Sequence, residues 1–259
     1  MSISKIEKYY NKKAVKQKDW REKSPIFKFL DKLKWYSISN VFTKTGKVLD
    51  AGGGEGRWSI KLAKHGHNIS LVDISQGLLS IAEKNIKEKN LTKKINIFRA
   101  DIRKLPFPSN YFDYILCEGD VLCITPQIQN TLKELRRVLK KNGIIYATFV
   151  SYYHALFFQL KKGINDFEKF QKTKIINVGS LNFHTYKKDD LERLFTLSKF
   201  HIAKISGEIY FTSFLYGENQ FKELKNEKIS KKLLHLEKDM SKQDEIASFA
   251  GHLIVVAKR

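Results

Sequence analysis

Val48-Leu49-Asp50-Ala51-Gly52-Gly53-Gly54-Glu55-Gly56 decides the fold, together with the next apolar run, Leu71-Val72-Asp73, which also ends in an acid. Val48-Leu49 reads as a short buried strand. Glycines at alternate positions 52, 54 and 56 let the chain turn sharply and approach a ligand with no Cβ between them. Trp58-Ser59-Ile60-Lys61-Leu62-Ala63 then opens a helix whose first amides point back at the loop. In nucleotide-binding α/β sheets, an acid about 20 residues past such glycines accepts hydrogen bonds from ribose hydroxyls. Strand, glycine loop, helix, strand and acid together predict a nucleoside site.

A dinucleotide fingerprint needs a third glycine or alanine five residues after the first. Counting from Gly52 that position is Arg57, and from Gly54 it is Ser59, so a nicotinamide-dependent oxidoreductase fits poorly. The pattern Asp50-x-Gly52-x-Gly54-x-Gly56 instead resembles the first motif of class I S-adenosylmethionine (SAM) dependent methyltransferases. A sulfonium cation with an amino-acid tail has no pyrophosphate, so a carboxylate near the loop suits it. The resemblance continues downstream. Asp101-Ile102 follows Ile95-Asn96-Ile97-Phe98 and precedes Leu105-Pro106-Phe107, as the family's adenine-edge acid and its loop do. Phe112-Asp113-Tyr114-Ile115-Leu116 is similar to the fourth strand, and Leu135 to Gly143 to the helix and turn before the fifth. In that turn Asn142-Gly143 stands in for the usual proline and glycines, and Asn tolerates a left-handed conformation.

This implies an α/β fold: a doubly wound, Rossmann-like, mostly parallel seven-stranded sheet, with an N-terminal helical lid. Strands are expected near 47–51, 69–73, 95–99, 112–118, 143–150, 200–206 and 253–257, with helices near 55–65, 76–89 and 126–140. Alternation of strands and helices demands a parallel sheet with crossover helices. The resemblance implies that the last strand is antiparallel and inserts beside the fifth. One domain is expected, with an N-terminal extension over 1–45, a SAM-binding core over 46–150, an insertion over 151–186 capping the acceptor, and the rest of the sheet over 187–259. In the extension, Ser24-Pro25 reads as a cap with proline at the first helical position, and Ile26, Phe29, Leu30, Leu33 and Tyr36 recur at helical spacing. Helices are also expected over 187–195 and 221–239, the latter carrying Leu224, Leu233, Leu234 and Leu236.

The 259 residues carry 48 Lys and Arg against 27 Asp and Glu, a formal net charge of +21. Such a balance raises the possibility of a nucleic-acid partner. The lysines, however, are dispersed along the whole chain, and arginine, the better reader of phosphates and bases, is scarce. The densest basic stretch is residues 1–34, with ten Lys and one Arg against four acids. No run of 18 apolar residues is present, so no transmembrane helix and no membrane partner are expected. The lysine-rich start has no apolar stretch of the signal-peptide kind. Cys117 and Cys123 make no metal-type spacing with the histidines, and Cys117 reads as a reduced core thiol. A cytoplasmic protein without a metal site follows.

Carried over residue by residue, the resemblance implies that SAM is held by Asp50 and Gly52 near its amino-acid tail and Gly54 beneath it. It further implies Asp73 at the ribose, Ile74 on an adenine face, and Asp101 with Ile102 at the adenine edge. Glu118 and Asp120 follow the fourth strand, where ligands bind in open α/β sheets. Glu118 is expected at the methionine ammonium and Asp120 in the acceptor pocket. Tyr152 and His154, just past the fifth strand, and Tyr186 are further candidates for that pocket. Tyr9 and Tyr10, with Trp20, are candidates to close over it. Methyl transfer needs a general base only when the nucleophile carries a proton; His184 is the candidate here.

Two substrates compete. A small-molecule acceptor, methylated on O, N or a carboxylate, is the leading expectation. A tRNA nucleoside is the alternative, because the glycine loop resembles that of bacterial tRNA carboxymethoxyuridine methyltransferases, although the segment after the fourth strand and the C-terminal third do not. A SAM-binding protein without catalysis is a further reading, against which the intact loop and both acids argue.

Overall fold

The computed structural model describes residues 2–212 and 223–259, apart from the side chains of 15–22. Two helices, α1 (Ile3–Lys23) and α2 (Pro25–Ser39), precede the sheet. Then come β1 (Lys47–Ala51), α3 (Arg57–Lys64), β2 (Asn68–Asp73), α4 (Gln76–Glu88), β3 (Ile95–Arg99), β4 (Phe112–Cys117), α5 (Val121–Ile124), α6 (Ile128–Val138) and β5 (Leu139–Val150). The remainder is α7 (Tyr152–Lys162), α8 (Ile164–Thr173), β6 (Ile175–Val178), β7 (Leu181–His184), α9 (Lys188–Leu197), β8 (His201–Glu208), α10 (Glu227–Met240), a 3-10 turn (Asp244–Phe249) and β9 (His252–Lys258).

Seven strands form one sheet in the order β3-β2-β1-β4-β5-β9-β8. All are parallel except β9, which runs antiparallel between β5 and β8. The expected seven-stranded Rossmann-like sheet is therefore present, with its last strand beside the fifth. Both faces of the sheet are buried, and the strands alternate between two apolar layers. Leu49, Ile115, Cys117, Ile145, Ala147, Phe149, Leu253 and Val255 pack with α6 and α9 through Leu132, Leu135, Leu191 and Phe195. Val48, Leu71, Tyr114, Leu116, Tyr146 and Ile254 pack on the other side with α3 and α4 through Trp58, Leu62, Leu79 and Ile86. Burial on both faces is why these strands read as nearly continuous apolar runs.

Several local expectations are met in detail. Pro25 starts α2, although the Ser24 hydroxyl makes no capping bond. Asn142 adopts φ 62° in the turn before the parallel part of β5. The helix expected over 126–140 is α6, which starts after Pro126 and left-handed Gln127; the short α5 precedes it. The region 151–186, which fits no βαβ unit, forms two helices and the β6–β7 hairpin. Of the helix expected over 221–239, residues 221 and 222 lie outside the described ones and α10 begins only at Glu227, capped by Asn226, so Leu224 lies before it; on the helix Leu236 is exposed while Glu237 is fully buried. Trp20 lies outside the described side chains.

Helix α1 crosses one end of the sheet. Asn11 Oδ1 accepts hydrogen bonds from Gly77 N (2.9 Å) and Ser75 Oγ (2.7 Å) at the start of α4. At the other side of α1, the Tyr9 ring lies so close to Gly179 in the hairpin turn that a Cβ there would sit 2.7 Å from the ring. Helix α2 is held by charge. Lys34 is buried, and its Nζ lies 2.6 Å from Glu118 Oε1 after β4 and 2.7 Å from Glu208 Oε1 at the end of β8. Glu237 of α10 is likewise buried and accepts hydrogen bonds from the backbone N–H groups of Tyr210, Phe211 and Thr212 just beyond β8.

Asp50 joins β1 to α3. It is buried, and Ser59 Oγ donates to its Oδ2 at 2.6 Å. Burial, with the nearby charge of Glu118 and Asp73, pushes its carboxyl up to about 7 against the Ser59 hydrogen bond.

Two stability outcomes are expected. Lys34→Met leaves Glu118 and Glu208 buried without their cation, so urea unfolding should show a loss of about 3–5 kcal/mol. Asp50→Asn keeps an acceptor for Ser59 and removes the buried charge. Because the folded carboxyl is raised, the stability it contributes is full below the unfolded value near 3.8 and is lost as pH rises through about 7. The melting temperature of Asp50→Asn should therefore exceed that of the natural chain by a margin that grows between these pH values; a constant margin would contradict this reading.

Candidate functional site

The glycine loop folds back on the end of β2. Gly52 N and Gly53 N both donate to Val72 O, at 2.8 and 3.1 Å. Gly54, at φ +55°, donates to Asp73 Oδ2 at 2.9 Å. A Cβ on Gly54 would meet nothing nearer than Leu78 at 3.6 Å and Asp73 at 4.0 Å, so its face is open. Gly52, at φ +77°, is closed off by Val121, 2.7 Å from where its Cβ would lie. Ser75, not Asp73, caps α4, accepting from Leu78 N at 3.2 Å. Asp73 thus points its carboxylate at the loop and at Ser75 N (2.8 Å), and burial raises its pKa.

Above the loop lies a cavity of about 520 Å³, within the range of about 300–1,000 Å³ common for small-molecule sites. Every residue that the sequence assigns to the nucleoside lines it: Asp50, Gly52, Gly54, Asp73, Ile74, Asp101, Ile102 and Glu118. Ile74 and Ile102 are apolar walls between the carboxylates of Asp73 and Asp101. Asp101 is held by Arg103, which donates from Nε (2.9 Å), Nη2 (2.8 Å) and its backbone N (2.9 Å). Tyr10, Asp120 and His154 of the expected acceptor pocket also reach the cavity.

The other candidates do not line it. Tyr9 packs edge-on against Tyr10 and faces the lysine-bearing side of α1. Tyr152 is buried and stacks on Phe170. Tyr186 packs on Phe149, and with His184 it borders a separate shallow depression near Thr173, Asp190 and Arg193. His184 ends a strand of the β6–β7 hairpin, and its side chain lies on the exposed side, whereas Leu181 and Phe183 point inward. Period-two alternation along the strand places it opposite the cavity.

The far end of the cavity is built from residues that are remote in sequence. After β4 the chain reverses through Gly119 (φ +89°) and Asp120 (φ +58°). The backbone N–H groups of both donate to Thr148 Oγ1 on β5 at 3.1 Å. Glu118 receives Lys34, the indole N–H of Trp58 (2.5 Å) and Arg57 (3.4 Å). Burial alone would raise its pKa, but Lys34 and Arg57 hold it down at about 2. Arg57 also pairs with Asp31 of α2. Burial pushes Asp120 up to about 6 even though Lys34 opposes the shift.

His252 opens β9 and stands in register with Val150 on one side and Glu208 on the other. Its Nδ1 is buried 3.5 Å from Asp120 Oδ2, yet 27% of the side chain stays accessible, and the residue lines the cavity. Burial lowers the pKa of both His252 and His154 to about 4, so both rings are neutral near pH 7. Lys34, Arg57, Trp58, Thr148 and His252 were not singled out from sequence. Lys34 does leave a signal: it falls four residues after Leu30 and one after Leu33, on the apolar face of α2. Among the described residues no group of acids, cysteines and histidines has the geometry to hold a metal.

The glycine loop and its acids agree with what comparison with known proteins finds. A model of the methyltransferase domain matches residues 48–143. The ubiquinone/menaquinone biosynthesis C-methyltransferase UbiE of Rickettsia prowazekii is 36% identical over 146 residues, covering 54% of this chain and 56% of that one. The Rickettsia massiliae UbiE is 32% identical over 178 residues, covering 64% and 68%. The chain spans about half the length of most of the curated relatives it matches. In fold it is similar to a Burkholderia thailandensis 1,6-didemethyltoxoflavin-N1-methyltransferase whose structure holds S-adenosylhomocysteine, with a TM-score of 0.57 over 98% of this chain and 87% of that one at 13% identity. The cofactor of this group is SAM, and the chain belongs to the family of class I SAM-dependent methyltransferases.

Proposed function

We propose that the chain transfers a methyl group from SAM to a small-molecule acceptor bound in the same cavity. The observation that carries this reading is the contrast in charge between the cavity and the rest of the molecule. Asp50, Glu55, Asp73, Asp101, Glu118 and Asp120 line the cavity against Lys34 and Arg57, in a chain whose overall charge is +21. An acid-rich pocket favours a cationic ligand such as SAM and repels a phosphate chain. This supports a small acceptor over tRNA.

The residues fit the cofactor: the open face of Gly54 leaves room beside Asp73, and the carboxylates of Asp73 and Asp101 support contacts to the ribose and the adenine edge. When bound, SAM supplies an electrophilic methyl group on a sulfonium that leaves as a neutral thioether. The protein's part is to hold the acceptor in line with that methyl and to exclude water. Ile6, Tyr10, Phe27, Ile124 and Phe183 give the remaining space apolar walls. We favour a ring bearing an ionisable hydroxyl, which exposes either an oxygen or an activated ring carbon. The C-methyltransferase names of the rickettsial relatives support the second.

For such an acceptor, His252 takes the role that sequence reasoning gave to His184. In this reading neutral His252 keeps its proton on Nδ1, which faces Asp120 Oδ2 at 3.5 Å, and Nε2 takes the acceptor's proton. The carboxylate of Asp120 then stabilises the imidazolium.

Calorimetry should show S-adenosylhomocysteine binding in the micromolar range, about −7 to −8 kcal/mol, and no binding of NAD. Asp73→Ala should weaken it by about 1.5–3 kcal/mol, the scale of hydrogen bonds to a charged acceptor. A response to NAD alone would remove the assignment.

The acceptor class is tested by incubating the protein with methyl-labelled SAM and cell extract separated into small molecules and RNA. Label should enter the small-molecule fraction, with little dependence on salt between about 50 and 200 mM; RNA binding would weaken by orders of magnitude over that range. His252→Ala should lower the rate at least about 100-fold without changing affinity for S-adenosylhomocysteine. The rate of the natural protein should fall as pH drops through about 6, where Asp120 takes up a proton.

A further inference from the structure

Helix α7 buries Tyr152 and Ala155 in the core and brings His154 to the cavity. Its outer face is apolar. Tyr153, Phe157 and Leu160 recur at i, i+4 and i+7 and are 40, 51 and 51% exposed; Ile164, 60% exposed, follows at the start of α8 across the break at Gly163. Phe249, 66% exposed on the 3-10 turn before β9, joins the stripe through its ring contact with Tyr153, 6.2 Å between centroids. A continuous exposed stripe of large apolar side chains differs from the isolated ones that soluble proteins ordinarily show, and it marks a contact surface.

The charge beside the stripe selects the partner. Residues 152–174 carry Lys161, Lys162, Lys169, Lys172 and Lys174 against Asp166 and Glu168. Lys161 and Lys162 directly follow Leu160, and Lys187 lies over the Tyr152 and Tyr153 rings. A second copy of the chain docking on this face would bring the same lysines against each other. Aromatic and aliphatic side chains on one helical face, rimmed by lysines, match instead the chemistry of an interfacial helix on an anionic bilayer.

We propose that the outer face of the α7–α8 hairpin, built on Tyr153, Phe157, Leu160, Ile164 and Phe249, seats the protein on the surface of an anionic membrane. This is peripheral contact, since no helix among the described residues is long and apolar enough to cross a bilayer. It does not depend on the methyl-transfer reading. It places the cavity one helix away from the lipid, on the side of α7 that carries His154.

The test is flotation of the purified chain with phosphatidylcholine vesicles, with and without a quarter of phosphatidylglycerol. Affinity for the anionic vesicles should be at least about tenfold higher and should weaken with salt. Phe157→Asp with Leu160→Asp should lower it at least about tenfold at an unchanged melting temperature, and Lys161→Glu with Lys162→Glu should lower it several-fold. Should the aspartate pair not fold, Phe157→Ser with Leu160→Ser carries the same expectation. The proposal is overturned if the chain ignores anionic vesicles or if the stripe variants bind as well as the natural protein. It is equally overturned if Lys228→Glu with Lys231→Glu on α10 has the same effect as the Lys161/Lys162 pair, which would reduce the contact to bulk charge. Sedimentation showing a dimer that the stripe variants split would assign the face to a second copy.

Discussion

One buried lysine determines how the parts of this molecule meet. Lys34 sits between Glu118, which ends the central strand β4, and Glu208, which ends the edge strand β8. Three elements far apart in sequence therefore share one charge cluster in a poorly solvated place. Burial by itself would lower the lysine's pKa, yet the two carboxylates hold it above the ordinary value. The cluster has a definite geometry because every alternative leaves a charge desolvated and unpaired. Trp58 and Arg57 on α3 converge on the same Glu118, so the helix that follows the glycine loop is aligned by it as well.

The parts of the fold that sequence makes legible are those governed by local rules. Buried strands show as apolar runs, glycines mark the turn at β1, and Asn142 marks the left-handed turn before Gly143. The acids of the cavity are readable because Asp50, Asp73 and Asp101 lie at or just after the carboxyl ends of neighbouring parallel strands, where a doubly wound sheet gathers them. The acceptor end obeys no such rule. His252 reaches it only because β9 runs antiparallel between β5 and β8, which brings the start of β9 beside Val150 and Glu208. His184 lies away from the cavity because a hairpin strand puts alternate residues on opposite sides, a phase that the sequence does not reveal before the hairpin is formed.

Buried charges on apolar helix faces were the available signal that went unread. Lys34 interrupts the stripe of α2, and Glu237 falls where the spacing of Leu233 and Leu234 calls for another apolar residue. A charge in such a place is costly unless a partner waits for it. Both residues have partners at the same edge of the sheet: Glu208 for Lys34, and the backbone just after it for Glu237. The end of β8 is thereby fixed by one cation and one anion supplied from two different helices.

The contact of Tyr9 with Gly179 and the pairing of Lys34 with Glu208 bear on how the chain is made. On the ribosome α1 and α2 emerge before the sheet, yet part of the surface that receives them, the β6–β7 hairpin and the end of β8, is encoded more than halfway along. Until the hairpin and β8 have been synthesised, α1 can dock only on α4 through Asn11, and α2 only through Asp31 and Lys34 on Arg57 and Glu118. The sheet can begin to assemble meanwhile, since β1 to β5 are contiguous and domains fold progressively from the N-terminal side. The two leading helices thus complete their contacts late, and the cavity is closed only once β9 has brought His252 to it.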